Sequence, residues 1–138
     1  MSYIKKTRII PVILIRDGYV VLSKKFIRHQ IVGLADTILK RFANWNIDEV
    51  IILNISRNDG FKNNRTDLKN NFTKDFFDLV NKISKNCFSP LTVGGRVKNL
   101  KDFEKLFKLG ADKVSINSQA IMFPSIIEDA AKEFGSQA

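Results

Sequence analysis

The chain has 138 residues, of which 44% are hydrophobic, and its formal net charge is +9. This size and apolar content predict a single domain, residues 1–138, with one hydrophobic core. No apolar run reaches the roughly 18 residues that cross a bilayer, and the N-terminus lacks a signal-peptide core, so we expect a cytoplasmic protein with no membrane partner. The basic residues are scattered, which favours phosphate-bearing small molecules or a solvated lysine-rich surface over nucleic acid.

The first quarter of the chain predicts a strand, a tight turn and a returning strand. Residues 8–16 are β-branched and apolar on both faces, as in a buried strand, and Pro11 within them indicates a bulge or a locally free edge. Asp17-Gly18 is a strong hairpin turn signal, and residues 19–22 form the short returning strand. Residues 23–32 show no clear period and carry four basic or titratable side chains, so we expect a long loop.

Helices and strands alternate through the rest of the chain. Apolar stripes at helical spacing predict helices over residues 33–45, 72–85, 98–109 and 124–135. Short apolar segments between them predict strands over residues 48–55, within 90–96 and within 110–118. Asn71 is the expected cap of the second helix. Four β-then-α units follow one another, and helical crossovers make their strands parallel.

The number of βα units predicts half of a barrel. A TIM-type (βα)8 barrel closes at eight such units in about 250 residues, and this chain supplies four. We therefore expect an α/β half-barrel with outer helices, whose first and fourth strands are open edges. A second copy, a partner chain with the other half, or the remainder of a longer protein would complete it. A four-stranded open α/β sandwich is the alternative.

A weak internal sequence similarity supports repetition of the βα unit. Residues 48–52 align without gaps against residues 112–116, with aspartate, valine and isoleucine at matching places. Because side chains alternate along a strand, this alignment predicts that Leu53 shares a face with Ser115 and Asn117.

Residues with small or amide side chains lie at the ends of two neighbouring predicted strands. Gly94, Gly95 and Arg96 follow one strand, and Asn117 and Ser118 follow the next. The carboxyl ends of parallel strands meet at one end of the sheet, where exposed backbone amides suit a phosphate group. We therefore expect these five residues to bind a phosphorylated ligand. The alternatives are a tight strand-to-helix turn at the glycines and capping of the next helical turn by Asn117 and Ser118.

The other chemistry-bearing residues are isolated in the sequence. Four cations in predicted loops on the ligand side can steer an anionic substrate or stay solvated, namely Lys24, Lys25, Arg28 and Arg57. His29 is the one histidine, and we expect no catalytic role for it. Cys87 is the one cysteine and has no histidine or acidic cluster beside it, so we expect no disulfide, no metal and no cofactor.

Five segments together resemble one enzyme family. They are RIIP at residues 8–11, DGYVV at 17–21, TVGG at 92–95, GADKVSIN at 110–117 and FGSQA at 134–138. As a set they are similar to the cyclase subunit of imidazole glycerol phosphate synthase, HisF. The resemblance covers essentially the whole chain but only the N-terminal half-barrel of that family.

The resemblance implies a chemistry and shows where this chain departs from it. HisF proteins take ammonia from a glutaminase (HisH-like) partner through the barrel and join it to a phosphorylated ribulosyl substrate, with aspartates on the first and fifth strands as acid and base. Leu14 occupies the first-strand position, so we expect no catalytic residue in this chain. Arg96 replaces an expected third glycine. Thr92 and Ser115 are expected to face the barrel interior, as lining of an ammonia route or as plain packing residues.

The apolar first strand is similar to HisF-like paralogues associated with surface-polysaccharide biosynthesis. Those proteins work with a glutaminase and help to deliver ammonia for amidation of a nucleotide-linked or lipid-linked sugar. We therefore expect a synthase subunit that acts on a phosphorylated or nucleotide-linked sugar and is inactive as this chain alone. A histidine-pathway cyclase and a noncatalytic, self-pairing phosphate-binding half-barrel are the alternatives.

Overall fold

The computed structural model describes residues 6–61 and 73–138. The strands in these ranges are Val12–Arg16 (β1), Tyr19–Lys24 (β2), Arg28–Leu34 (β3), Val50–Asn54 (β4), Leu91–Gly94 (β5) and Lys113–Ser115 (β6). The helices are Ala35–Asn44 (α1), Phe76–Ser84 (α2), Leu100–Lys108 (α3), Ser118–Met122 (α4) and Ser125–Phe134 (α5). Every helix in these ranges is too short or too polar to form a membrane span.

One sheet carries all six strands, in the order β3-β2-β1-β4-β5-β6. β1, β4, β5 and β6 are mutually parallel, and helices join them in sequence. This arrangement confirms the predicted α/β fold of four βα units. β1 begins four residues later than expected, because Pro11 has no N–H for the ladder and contributes only its carbonyl, which accepts from Ile51 N at 3.0 Å.

The helices cover one face of the parallel sheet. Alternate strand residues point into this helix-covered core, as the period of two in a strand requires. The largest fully buried side chains are Ile15, Ile52, Ile83, Leu91, Leu106, Val50, Val80 and Val93. The intervening strand residues, such as Val12 and Leu53, lie on the opposite face and are more exposed. The sheet therefore has a dry outer face and an inner face without a helix layer in the described residues.

The prediction of a long loop over residues 23–32 is wrong. β2 continues to Lys24, and β3 pairs with it antiparallel, with Ser23 opposite His29. Tyr19, Val20 and Val21 are buried, but residues 22–32 are largely exposed on both faces of the hairpin, so this segment lacks the alternation that marks a half-buried strand. Backbone hydrogen bonds to β2 form the strand instead.

The hairpin also changes the edges of the sheet. β2 pairs with Leu14, Ile15 and Arg16, so the outer edge of β1 is open only toward its amino end. Because β2 runs antiparallel to β1, the turn at its far end lies on the amino side of the parallel strands. Lys24, Lys25 and Arg28 are therefore not on the ligand side, contrary to the prediction. Among the described strands, β6 has a neighbour on one side only.

Two helix starts show how local chemistry decides boundaries. α2 is capped by Asp75, whose Oδ1 accepts from Asp78 N at 2.8 Å, and the predicted cap Asn71 lies outside the described residues. α3 begins with a capping box, in which Asn99 Oδ1 accepts from Asp102 N at 3.1 Å and Asp102 Oδ2 accepts from Asn99 N at 3.3 Å. α4 is the short helical turn expected after the strand that ends near Asn117 and Ser118.

Replacement of Asn99 by alanine removes the side-chain half of the α3 capping box. We expect Asn99→Ala to lower the free energy of unfolding by about 1 kcal/mol, as measured by urea denaturation. Asn117→Ala is the matched control, because Asn117 precedes α4 without a side-chain capping bond. Equal destabilisation by the two substitutions would contradict this account.

Candidate functional site

The carboxyl ends of β4, β5 and β6 enclose an open cleft of about 610 Å³. Residues from two separate strand ends meet in it. Four of the five predicted ligand-binding residues line the cleft, namely Gly95, Arg96, Asn117 and Ser118. The fifth, Gly94, lies within β5 in register with Ser115 of β6, which also lines the cleft. The two glycine and amide segments are therefore at the same end of the sheet.

Close backbone packing explains both glycines of β5. A Cβ on Gly95 would lie 2.2 Å from the carbonyl oxygen of Asn54, and the φ of Gly95 is +92°. A Cβ on Gly94 would lie 2.5 Å from the carbonyl oxygen of Ser115. Side chains at either position would push the neighbouring strands apart. The alternative of a tight strand-to-helix turn thus accounts for both glycines, and Gly95 also lines the cleft.

The side chain of Arg96 binds the loop that follows β4. Its guanidinium donates to the carbonyl oxygens of Ser56, at 3.0 Å, and of Arg57, and to Asp59 Oδ1 at 2.5 Å. Arg96 itself has a φ of +62°, a conformation that suits the glycine expected at this position. Its positive charge is therefore directed to this loop, and Asp59 of the loop lines a neighbouring pocket together with Gly95 and Arg96.

Two buried polar residues fix the start of that loop, and their role escaped the sequence analysis. Asn54 Oδ1 accepts from Ser56 N at 3.0 Å, and Ser56 Oγ accepts from Asp17 N at 2.9 Å. Both side chains belong to buried residues. Asparagine two residues before serine at the end of a strand is typical of an Asx turn, and this signal was present in the sequence.

Asn117 and Ser118 present exposed polar groups at the opposite wall of the cleft. Both residues are exposed, and Asn117 makes no side-chain capping bond to α4. Capping therefore does not account for Asn117, contrary to the alternative considered above. Its amide group and the Ser118 hydroxyl are accessible to a molecule in the cleft.

The inner face of the sheet is arranged in two layers by the strand register. Leu14, Leu53, Gly94 and Ser115 are aligned across the four parallel strands in one layer. Leu53 and Ser115 thus share a face, as the internal sequence similarity predicts. Val12, Ile51, Thr92 and Lys113 form the other layer, nearer the amino ends.

The amino ends of the parallel strands carry a charged group and exposed aromatic residues that the sequence analysis missed. Glu49 forms ion pairs with Arg8 and with Lys113, the latter at 3.8 Å between Oε2 and Nζ. The predicted helical stripe over residues 33–45 places Trp45 in the core, but α1 ends at Asn44 and Trp45 is 68% exposed in the loop before β4. Phe88, in the loop before β5, is 90% exposed. These groups come from distant parts of the sequence, so no local pattern indicated them.

The remaining candidates stand apart from the cleft. Arg57 is exposed in the loop after β4, and only its carbonyl contacts Arg96. Cys87 is partly buried, and burial raises the pKa of its thiol, whose Sγ donates to the Ser89 carbonyl at 3.3 Å. Within residues 6–61 and 73–138, no group of three or more His, Cys, Asp or Glu side chains is placed to hold a metal ion.

Four βα units, helices on one face and a polar cleft at the carboxyl ends of parallel strands define one half of a TIM-type barrel. The sequence profile of a family described as "Histidine biosynthesis protein" matches residues 8–138. The chain belongs to this family of TIM barrels, and it is HisF-like, which confirms the resemblance.

Individual relatives agree with this assignment. An imidazole glycerol phosphate synthase subunit hisF2 of Vibrio vulnificus, a provisional name, is 39% identical over 99% of this chain and 46% of its own length. A protein of the same provisional name from Campylobacter jejuni is 38% identical over 96% of this chain and 48% of its own. The imidazole glycerol phosphate synthase subunit HisF of Dictyoglomus thermophilum is 38% identical over 94% and 47%. The chain thus spans about half the length of the curated relatives it matches.

Replacement of Gly95 by alanine tests the contact between β5 and Asn54. We expect Gly95→Ala to destabilise the fold by about 4 kcal/mol or more in urea denaturation, because a clash with backbone adds to the strain of positive φ. Gly135→Ala is the control, since Gly135 has a φ of +96° but nothing within 4 Å of an added Cβ. Its expected cost is about 1–2 kcal/mol from backbone strain alone. Equal costs at the two positions would rule out the proposed close approach.

Proposed function

We propose that this chain is a HisF-like synthase subunit that works with a HisH-like glutaminase and brings ammonia to a phosphorylated or nucleotide-linked sugar, in sugar amidation for surface polysaccharides. The observation that carries the proposal is the cleft in which Gly95, Asn117 and Ser118 meet. Backbone amides, an amide side chain and a hydroxyl are suitable donors for phosphate oxygens. Arg96 also lines the cleft, but its guanidinium is bonded to the loop after β4, so it contributes indirectly in this proposal.

Leu14 favours sugar amidation over the histidine-pathway cyclase. It lies on the inner face, in register with Leu53 and two residues before the carboxyl end of β1. A leucine there cannot transfer a proton, so an acid and base pair of the HisF type is not available to this chain. The hisF2 names of two relatives are compatible with a paralogue of the histidine enzyme.

The inner face supports a route for ammonia between the two ends of the sheet. A substrate in the cleft occupies the carboxyl ends, so ammonia made by a second protein would enter from the amino ends. Small hydroxyl groups of Thr92 and Ser115 lie on this inner face. The exposed Trp45 and Phe88 at the amino ends are suited to bind a glutaminase, because buried aromatic residues dominate many protein interfaces.

The proposed route requires a second half-barrel. Val12 is 54% exposed on the inner face, and β6 has one unpaired side among the described strands. The chain also spans only about half of its relatives. A further four βα units, from the remainder of a longer protein or from a second chain, would cover this face and supply any residue of a fifth strand.

A noncatalytic phosphate-binding half-barrel is the second candidate, and Leu14 together with the half length favours it. The two candidates share the cleft but differ in their need for a glutaminase. Phosphate binding tests the cleft, and a response to glutaminase separates the candidates.

Substitution of the two exposed cleft residues should weaken phosphate binding. We expect Asn117→Ala with Ser118→Ala to lower the affinity for inorganic phosphate about tenfold, the loss of two hydrogen bonds at roughly 0.7 kcal/mol each. Titrations followed by amide NMR would measure this affinity, with shifts expected at Gly95 and Ser118. Lys108→Gln is the control for net charge, since Lys108 lies on α3 and pairs with Glu104. Equal losses in the two proteins would refute a phosphate site in the cleft.

Addition of the chain to a HisH-like glutaminase of the same organism should raise glutamine hydrolysis. We expect Phe88→Ser to raise the concentration needed for half stimulation about 30-fold, the usual effect of removing an interface hot spot worth about 2 kcal/mol. Phe123→Ser is the control, because Phe123 is also exposed but follows β6 at the carboxyl end. Phosphate binding without any stimulation of the glutaminase would favour the noncatalytic candidate.

A further inference from the structure

The inner face of the sheet carries an arginine at the carboxyl end of β1. Ile13 and Ile15 are buried in the core, so Leu14 and Arg16 lie on the opposite, inner face, with Arg16 nearer the ligand end. The N–H of Ile55 donates to the Ile15 carbonyl at 2.8 Å, which continues the register of β1 and β4 by one residue. Arg16 therefore lies beside Ile55, a residue that lines the cleft.

The positive charge of Arg16 is weakly compensated within residues 6–61 and 73–138. Its one ion pair there is with Asp17, at 3.9 Å between Nε and Oδ2, which is too long for a hydrogen bond. Its strand neighbours, Tyr19 on β2 and Ile55 on β4, carry no charge at neutral pH. The Arg16 side chain is 32% exposed, so its guanidinium is accessible to a ligand.

Two other cations line the cleft, but both are directed to the loop after β4. Arg96 and Lys98 form ion pairs with Asp59, at 2.5 Å and 4.0 Å. Arg16 has no contact of this kind. An exposed ion pair such as that of Arg16 with Asp17 adds little to the free energy of unfolding, so stability does not explain an arginine at this position. Arginine is the side chain best suited to bind phosphate groups, which favours a ligand-binding role.

The dimensions of the cleft favour a ligand larger than a single phosphate. Its volume of about 610 Å³ lies within the range of small-molecule sites, roughly 300–1,000 Å³. Gly95, Asn117 and Ser118 supply donors at the ends of β5 and β6. Neighbouring strands are about 4.8 Å apart, so β1 lies about 10 Å from β5, with β4 between them. A ligand that extends from Gly95 toward β1 would bring a second anionic group to the guanidinium of Arg16.

We propose that Arg16 is a specificity-determining residue that binds the second phosphoryl group of a diphosphate whose first group occupies the cleft. The planar guanidinium donates two parallel hydrogen bonds to phosphate oxygens, and these replace the long contact with Asp17. The inference rests on the proposed function, because it requires a phosphate group at Gly95, Asn117 and Ser118. It narrows the substrate class from phosphorylated sugars in general to compounds with a diphosphate, such as nucleotide-linked sugars.

Amide NMR titrations of the whole chain with inorganic phosphate and with inorganic pyrophosphate, in the absence of divalent cations, test this proposal. We expect the parent chain to bind pyrophosphate about tenfold more tightly than phosphate, with a shift at the Ile55 amide that phosphate does not cause. Arg16→Gln should lower the affinity for pyrophosphate about tenfold, the loss of one charge-assisted contact, and leave the affinity for phosphate within about twofold. Arg16→Lys keeps the charge but not the planar fork, and should recover about threefold of this loss.

Arg41→Gln is the matched control, because it removes an exposed arginine from the last turn of α1. It should leave both affinities within about twofold of the parent chain. Equal pyrophosphate affinities in Arg16→Gln and Arg41→Gln, or a parent chain that binds both anions equally, would overturn the role of Arg16 but keep the phosphate site. Equal losses of both anions in Arg16→Gln would also overturn it, since Arg16 would then act on the first phosphate. Binding of neither anion by the parent chain would refute the phosphate site of the proposed function, and this inference with it.

Discussion

The candidate site depends on the close approach of the Gly95 backbone to Asn54. A side chain at residue 95 would overlap the Asn54 carbonyl, so only glycine lets the end of β5 lie directly over the end of β4. This approach places Arg96 where its guanidinium reaches the loop after β4. The hydrogen bonds of the Asn54 and Ser56 side chains fix the start of that loop. One backbone contact thus fixes both the shape of the cleft and the charge distribution beside it.

The two faces of the sheet have different roles, because the outer face contributes to stability and the inner face to the proposed function. The outer face packs isoleucine, valine and leucine against the helices and forms the hydrophobic core. The inner face carries leucine, glycine, serine and threonine in aligned layers, and no described helix covers it. A parallel sheet with one uncovered face is normally part of a larger assembly. The chain spans about half the length of the HisF relatives that it matches.

The hairpin of β2 and β3 affects how such an assembly could close into a barrel. It occupies the outer edge of β1 from Leu14 to Arg16, an edge that a closed barrel would pair with its last strand. A second half-barrel would therefore meet a free edge at β6 but a partly occupied edge at β1. Closure of the barrel along the whole of β1 would require the hairpin to move away from that edge.

The sequence by itself determined the order of the four βα units, the family, the glycine and amide strand ends, and the apolar residue at position 14. These features are local, because hydrophobic period and turn chemistry act over a few neighbouring residues. Only the tertiary structure decided the strand character of residues 28–34, the contact of Arg96 with the loop after β4, and the ion pairs of Glu49. Those depend on partners 37 or more residues away, or on backbone hydrogen bonds that no side-chain pattern records. The cleft depends on both the sequence and the tertiary structure. Its residues were predictable from the sequence, but the register of β4, β5 and β6 brings them together.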